Sequence, residues 1–344
     1  MAQCELYDSC ALMLHNTETS VKIKAMCFEE LPDHYFSYQK ASILFSNGGL
    51  DHQLGGFINI GYNCYMNSVL QCLMYTPGFP QFCLSLPNVL YMKNESKPFF
   101  LDAFAHVFSE LEKNRSICPS WFLNDAGSIN DTFRKPIQQD AHEFLLSLLE
   151  TMEIECKSAL NPNDNQNDTL VSHFFAGKHV NTIECSKCHH SSMNQARFFD
   201  ITVPFYTYDD LQQAISVLTC KREISINNTC MQCQNTECTK STETTCFPLI
   251  LMITMLRFNN NLKKLEDFFK YQDTLVVGDD NLEYSLYSMI VHEGRFISHG
   301  HFIAYVRDSN NIWYKADDVC VYRVKDDVVM NLCPYVLFYK RVFH

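Results

Sequence analysis

The segment Asn59-Ile60-Gly61-Tyr62-Asn63-Cys64-Tyr65-Met66-Asn67-Ser68-Val69-Leu70-Gln71 joins a glycine-containing loop to a stretch with helical spacing. Met66, Leu70 and Leu73 fall on one face, so the spacing predicts an amphipathic helix over 64–75 that begins at Cys64. A cysteine in that position meets unpaired backbone N–H groups and the positive end of the helix dipole. Both stabilise a thiolate, the reactive form of the side chain. Most cysteines of an apolar chain are inert core thiols, and it is the context of Cys64 that sets it apart.

Working outward, a second helical pattern covers 140–159, with Phe144, Leu145, Leu148, Leu149 and Met152 on one face. The polar stretch 161–168 reads as a loop after that helix. Beyond it, short segments rich in Val, Ile, Phe and Tyr take over, at 198–205, 249–258, 284–292, 302–307 and 335–342. Helices first and strands second indicate an α+β architecture rather than alternating βαβ units. With no glycine-rich phosphate loop either, a Rossmann-type nucleotide fold is excluded. Residues 1–53 carry no strong pattern and stand as a lead-in of unknown role.

The chain has 344 residues, 47% of them hydrophobic and 13% aromatic, enough for one elaborated domain. Its net charge of -12 argues against binding phosphate backbones, which takes clustered Lys and Arg. Glu5 and Asp8 stand where a secretory leader would be basic and then apolar, so an intracellular location, cytoplasm or nucleus, is expected. The longest apolar run, 247–256, includes Pro248 and is about half of what a bilayer requires, so no membrane role is expected. Seventeen cysteines, an odd number scattered through apolar segments, read as reduced thiols rather than a disulfide framework.

Near the other end, His299-Gly-His-Phe-Ile-Ala-Tyr-Val-Arg307 precedes Trp313-Tyr-Lys-Ala-Asp-Asp318. A nucleophilic thiolate needs an imidazole to take and return a proton and a third polar group to fix its tautomer. His301 and Asp317 can supply these. Two strands joined by a turn near 309–311 would bring them together, and Gly300 would permit a close backbone approach.

These two blocks resemble the Cys box and His box of the ubiquitin-specific protease family, and Gln138-Gln-Asp-Ala-His-Glu-Phe144 resembles its Gln-Gln-Asp motif. The three occur in the family's order and span roughly 54–340. There are departures: Gly61-Tyr-Asn-Cys64 stands for the usual Gly-Asn-Thr-Cys, His299 for a common Ser, Phe302 for a common Tyr, and Ala316 for a common aromatic. None removes a catalytic atom. The resemblance implies a papain-like cysteine protease fold. A helical thumb over about 54–170 carries Cys64, zinc-bearing β fingers span about 171–250, and a β-sheet palm over about 251–344 carries His301 and Asp317. It further implies that ubiquitin rests on the fingers, with its tail of arginines and terminal Gly-Gly in the cleft between thumb and palm.

By the same resemblance, Asn59 would donate its side-chain amide to the oxyanion, while Asp318 would help to orient His301, serve the oxyanion site or merely begin the next loop. Gln139 and Gly300 would line the substrate path. Asp140 and Glu143 have two compatible readings: a capping box at the start of the second helix, and carboxylates that pair with arginines of the ubiquitin tail. Cys185-Ser-Lys-Cys188 and Cys230-Met-Gln-Cys233 form two Cys-X-X-Cys knuckles, the usual set for a tetrahedral structural zinc, with Cys220, Cys238, Cys246 and His189 nearby. No organic cofactor is expected. A catalytically weak or inactive ubiquitin-binding module of the same fold is the alternative; an unrelated zinc ribbon that binds nucleic acid conflicts with the acidic charge.

Overall fold

Along Ile250–Met255, Ile250 and Met252 point into one hydrophobic core while Leu251, Ile253 and Met255 point into another. The period of two that defines a strand thus divides the protein into two cores, one on each face of a single sheet. Pro334–Arg341 repeats the pattern, with Val336 and Phe338 on the first side and Leu337 and Tyr339 on the second. The computed structural model describes residues 49–84, 99–159, 169–258, 263–296 and 299–343. Most of the lead-in 1–53 and the polar loop 161–168 lie outside the described residues.

The first core is closed by helices: α1 (Cys64–Met74), α2 (Phe99–Leu111), α3 (Ser120–Ile129), α4 (Ala141–Ala159) and the short α5 (Leu170–Phe175). Two short strands, β1 (Gly56–Phe57) and β2 (Ser116–Ile117), pair in parallel beside them. All eleven residues of α1 are buried. An amphipathic helix was expected, yet its polar stripe does not face solvent. Asn67 (3% exposed) and Gln71 (2% exposed) turn toward the loop before the helix and the turn around Asp318, and Gln71 Nε2 donates to Gly55 O at 3.3 Å. The Asn67 amide and Gln71 Nε2 find hydrogen-bond partners there, as buried polar groups mostly do, while Gln71 Oε1 has none among the described residues.

The large sheet has eight strands. Its order is β13 (Cys320–Val324), β12 (Trp313–Asp317), β11 (His299–Arg307), β10 (Leu282–Phe296), β14 (Pro334–Arg341), β8 (Ile250–Met255) and β5 (Asp200–Val203), with β9 (Thr274–Val277) also pairing with β10. All pairings are antiparallel except β5 with β8. A helix within the later half, α6 (Leu211–Thr219), covers the second core with Leu211, Ala214 and Ile215. Asp210 caps it, accepting from Gln213 N at 2.9 Å. The span 171–250 expected as one fingers unit is therefore interrupted, because β5 and α6 join the large sheet.

The rest of that span forms a separate four-stranded antiparallel sheet. Its order is β4 (Ser191–Phe198), β3 (Gly177–Cys185), β7 (Glu237–Cys246) and β6 (Arg222–Asn227). Its strands are polar and largely open to solvent. Its only buried cluster is formed, among the described residues, by Cys185, Cys230 and Cys238, with Ile183, Ile226 and Cys233 against it.

Candidate active site

Cys64 is the first residue of α1 and is 2% exposed. The loop before it folds around side-chain amides. Asn59 Oδ1 accepts from Gly61 N (2.8 Å) and Asn63 N (3.3 Å), while Asn63 Oδ1 accepts from Ile60 N at 2.8 Å. Gly61, with φ of 112°, makes the reversal that a side chain would resist. Asn63 is fully buried and makes no cap bond to the helix; its amide instead donates to Ile58 O at 3.2 Å. The departure Tyr62-Asn63 thus leaves the loop cross-braced.

His301 lies near the start of β11 and Asp317 ends β12. The register pairs Tyr305 with Lys315, and stepping two residues at a time along both strands leaves His301 and Asp317 on one face. The hairpin between them turns near 309–311 as expected, with Asn311 N donating to Asp308 O at 3.1 Å. His301 Nε2 meets Asp317 Oδ1 at 2.7 Å. Cys64 is the largest influence on the imidazole. Together with the hydrogen bond to Asp317 it raises the pKa to about 9 against the opposing effect of burial. Burial alone would raise Asp317, but the hydrogen bonds from His301 and Lys315, the latter at 3.2 Å, hold its carboxyl below the usual range. A thiol, an imidazole that keeps its proton and a carboxylate that stays ionised are the parts required for proton-coupled nucleophilic attack.

Asp318 does not compete for the ring. Its Oδ2 is 3.8 Å from His301 Nε2, whereas it accepts from Asn59 Nδ2 and Asn67 Nδ2, each at 2.8 Å. It occupies the first position of the two-residue turn between the paired Asp317 and Cys320, with φ of 52°, a left-handed conformation that Asp tolerates. Its carbonyl also accepts from Phe57 N at 2.9 Å, which pins the segment leading to Cys64 to the sheet.

The approach to α4 reaches the same place from the other side. Gln138 Oε1 accepts from Gly300 N at 3.2 Å and so touches the His301 strand. Gln139 turns away and donates to Thr132 O at 2.9 Å. Asp140 Oδ1 accepts from Glu143 N (2.9 Å), half of a capping box, and its Oδ2 accepts from Tyr335 Oη (2.7 Å). Glu143 is exposed, and among the described residues its carboxylate has only Thr132 Oγ1, at 3.5 Å.

The family model described as ubiquitin carboxyl-terminal hydrolase matches residues 55–339, a span that contains every residue of this arrangement. The chain belongs to the ubiquitin carboxyl-terminal hydrolase family. Among its relatives, ubiquitin carboxyl-terminal hydrolase 23 of Arabidopsis thaliana is 29% identical over 303 residues, 83% of this chain and 35% of its own length. The mouse ubiquitin carboxyl-terminal hydrolase 17-like protein B is 28% identical over 297 residues, 83% of this chain and 63% of its own length. The chain thus spans between about a third and nearly two thirds of these relatives. In structure it is similar to a chain of the SAGA DUB module Ubp8/Sgf11/Sus1/Sgf73 solved with monoubiquitin bound. That match has a TM-score of 0.71 and 25% identity, and covers 84% of this chain and 69% of the other. The module solved with ubiquitin aldehyde gives a TM-score of 0.70 at 25% identity, covering 84% and 70%. The α+β fold of the family is therefore that of this chain.

The second cysteine group of this family member sits at the far end of the four-stranded sheet. Sγ atoms of Cys185, Cys188, Cys230 and Cys233 all lie within 4.8 Å of one another, with Cys185–Cys233 and Cys188–Cys230 each at 3.6 Å. A tetrahedral zinc with bonds of ~2.3 Å spaces its sulfurs by about 3.8 Å. The two knuckles repeat one backbone design: His189 N donates to Cys185 O and Gln234 N to Cys230 O, and both residues have positive φ, 56° and 59°. Backbone N–H groups of Cys188 and Lys187 lower Cys185 to about 6, and those of Cys233 and Gln232 lower Cys230. Cys188 moves the other way. His190 N–H favours its thiolate, but the neighbouring thiols push it up to about 12. Four thiolates this close need a cation, so the residues fit a metal ion.

Residues missed in the sequence share one trait: their partners are remote. Asn67 and Gln138 act on groups 251 and 162 positions away, although both stand inside the blocks already singled out. His292 was missed as well. Its buried ring lies beneath Gly300, where a Cβ would overlap it, and burial, with help from Lys264 and His301, lowers it to about 4 and keeps it neutral.

Proposed function

We propose that the protein is a deubiquitinating cysteine protease that cleaves the isopeptide bond after the C-terminal Gly-Gly of ubiquitin. The observation that carries this reading is a His301 ring held by Asp317 at 2.7 Å and influenced most by Cys64 at the start of α1, inside a fold shared with ubiquitin-bound relatives. The Cys64 thiolate attacks the terminal glycine carbonyl, and the resulting oxyanion is held by the Asn59 amide. As the C–N bond breaks, the His301 imidazolium gives its proton to the leaving lysine amine. His301 then takes a proton from water, whose oxygen adds to the thioester. The Cys64–acyl bond breaks to give back the thiolate beside the His301 imidazolium, and ubiquitin leaves as a carboxylic acid that loses its proton to solvent. Asp317 keeps the ring oriented and stabilises its charge.

The palm and the helical thumb would grip the ubiquitin tail. Gly300 leaves room for the His292 ring beneath the His301 strand, and Glu143 offers a carboxylate to the tail's arginines, with Asp140 holding the helix beneath. The four-stranded sheet would act as fingers that support the body of ubiquitin. One zinc on Cys185, Cys188, Cys230 and Cys233 would tie its end together and, with four thiolate ligands, take no part in the chemistry. No organic cofactor is required.

Ubiquitin carrying a C-terminal electrophile tests the reading. A covalent adduct formed by the wild type and absent in Cys64→Ala is the expected result. Cleavage of a ubiquitin amide that persists in Cys64→Ala would overturn it.

A further inference from the structure

Resting on the reading of Asn59 as oxyanion donor, we propose that Asn67 is a positioning residue for the same reaction, acting through Asp318 on the Asn59 amide. The hydrogen bonds form a closed ring. Asn59 Nδ2 donates to Asp318 Oδ2 (2.8 Å), Asn67 Nδ2 donates to Asp318 Oδ1 (2.8 Å), and Asn63 Nδ2 donates to Asn67 Oδ1 (2.9 Å). Asn63 N then donates to Asn59 Oδ1 at 3.3 Å and closes it. Asn63 and Asn67 are 0% and 3% exposed, so water does not substitute for a missing partner.

The ring has a direction, and one residue sets it. An ionised carboxylate only accepts, so Asp318 requires an N–H₂ from both Asn59 and Asn67. With its amide so oriented, Asn67 presents Oδ1 to Asn63, which must answer with Nδ2. That leaves Asn63 Oδ1 for Ile60 N–H, the contact observed at 2.8 Å. Three amides, each with two orientations of similar shape, are thereby reduced to one arrangement. The consequence for catalysis lies at Asn59. One N–H is held by Asp318, and the other has no acceptor among the described residues. A flipped amide would aim Oδ1 at the developing negative charge and repel it. The donor must be fixed before the oxyanion forms, because preorganisation is what makes such a donor effective.

Asn67 also keeps Asp318 in place. Without Asn67 the carboxylate loses one of two side-chain donors and is free to turn, and Asn59 turns with it. The Asn67 side chain touches neither substrate nor reacting atoms in this account. Its effect is confined to the step that makes an oxyanion.

That confinement supplies the test. Asn67→Ala and the bulkier Asn67→Leu are compared with Asn59→Ala on two reactions: hydrolysis of a C-terminal ubiquitin amide, and labelling by ubiquitin bearing a C-terminal alkyne. The alkyne adds Cys64 to give a vinyl thioether, and no carbonyl oxygen is involved. Both Asn67 variants are expected to lose about tenfold or more in kcat, with KM unchanged and labelling rates close to wild type. The Asn59→Ala/Asn67→Ala double variant should be no slower than Asn59→Ala, since both changes disable one amide. If Asn59→Ala leaves kcat unchanged, the oxyanion reading falls and the positioning role falls with it. If Asn59→Ala is slow while Asn67 variants hydrolyse normally, or the two losses multiply, the positioning role alone is overturned. Loss of both hydrolysis and labelling in both Asn67 variants would overturn it in favour of a structural role.

Discussion

Tyr335 donates its hydroxyl to Asp140 at 2.7 Å, so the carboxylate that caps α4 is also the one that anchors the helix to β14. With both oxygens engaged, Asp140 is a structural acid, whereas Glu143, three residues on, is exposed and nearly unencumbered. The two carboxylates therefore separate experimentally. Asp140→Ala loses a cap worth about 1 kcal/mol and leaves the Tyr335 hydroxyl without an acceptor, about 1–3 kcal/mol more, so Tm should fall clearly. Glu143→Gln should leave Tm alone and lower kcat/KM for ubiquitin substrates several-fold, with added salt narrowing the gap. A normal kcat/KM in Glu143→Gln would remove Glu143 from substrate recognition.

The imidazole gives a prediction in pH. His301 is raised from 6.5 to about 9 in the folded protein, so its charged form contributes stability that is complete below pH 6.5 and fades as pH rises through 9. As the leaving amine takes its proton from this group, kcat/KM should decline on an alkaline limb near 9. The Cys64 contact is the largest cause of the rise, so in Cys64→Ala the His301 ring should titrate at lower pH by NMR. A titration left where it stands in the wild type would mean that the thiol and the ring do not interact.

Gly300 admits no side chain. A Cβ would collide with the His292 ring and with the Glu293 carbonyl, and β11 would have to move to relieve it. His301 is the next residue, so Gly300→Ala should lower kcat/KM about a hundredfold through misplacement of the base. Activity within about twofold of wild type would show that the strand yields without disturbing the site.

Metal content is directly measurable. About one zinc per chain is expected, and Cys185→Ser or a chelator should speed hydrogen exchange in β3, β4, β6 and β7 while β8, β10 and β14 stay protected. The contrast follows from the cores: the four-stranded sheet contributes only a small thiol cluster, and the large sheet is covered on both faces. Purified protein without metal, and equally protected in both sheets after Cys185→Ser, would dismiss the zinc site.

The sequence made the helices at Cys64 and after Asp140 legible because their apolar residues recur at helical spacing, and the large sheet legible because β8, β10, β11 and β14 are strongly apolar. It left the four-stranded sheet unread. Glu237–Cys246 has no Val, Ile, Leu or Phe, so no burial pattern marks it, and its pairing rests on backbone hydrogen bonds and register alone. The helix Leu211–Thr219 was overlooked despite a readable start, an Asp with Gln three residues on. Cys64, His301 and Asp317 could be picked out by residue type and order. Asn67 could not, because a polar residue four positions from Gln71 on a helix reads as a solvent face unless the turn at Asp318 is known to cover it.

The hydrogen bond from Asn59 to Asp318 joins residues 259 positions apart. During synthesis the thiol therefore emerges long before its base, its orienting carboxylate and the brace on its loop. Any chain that stops short of β11 holds a cysteine on a helix without the imidazole or the carboxylate behind it, so the reactivity proposed for Cys64 is acquired only in the last stretch of folding.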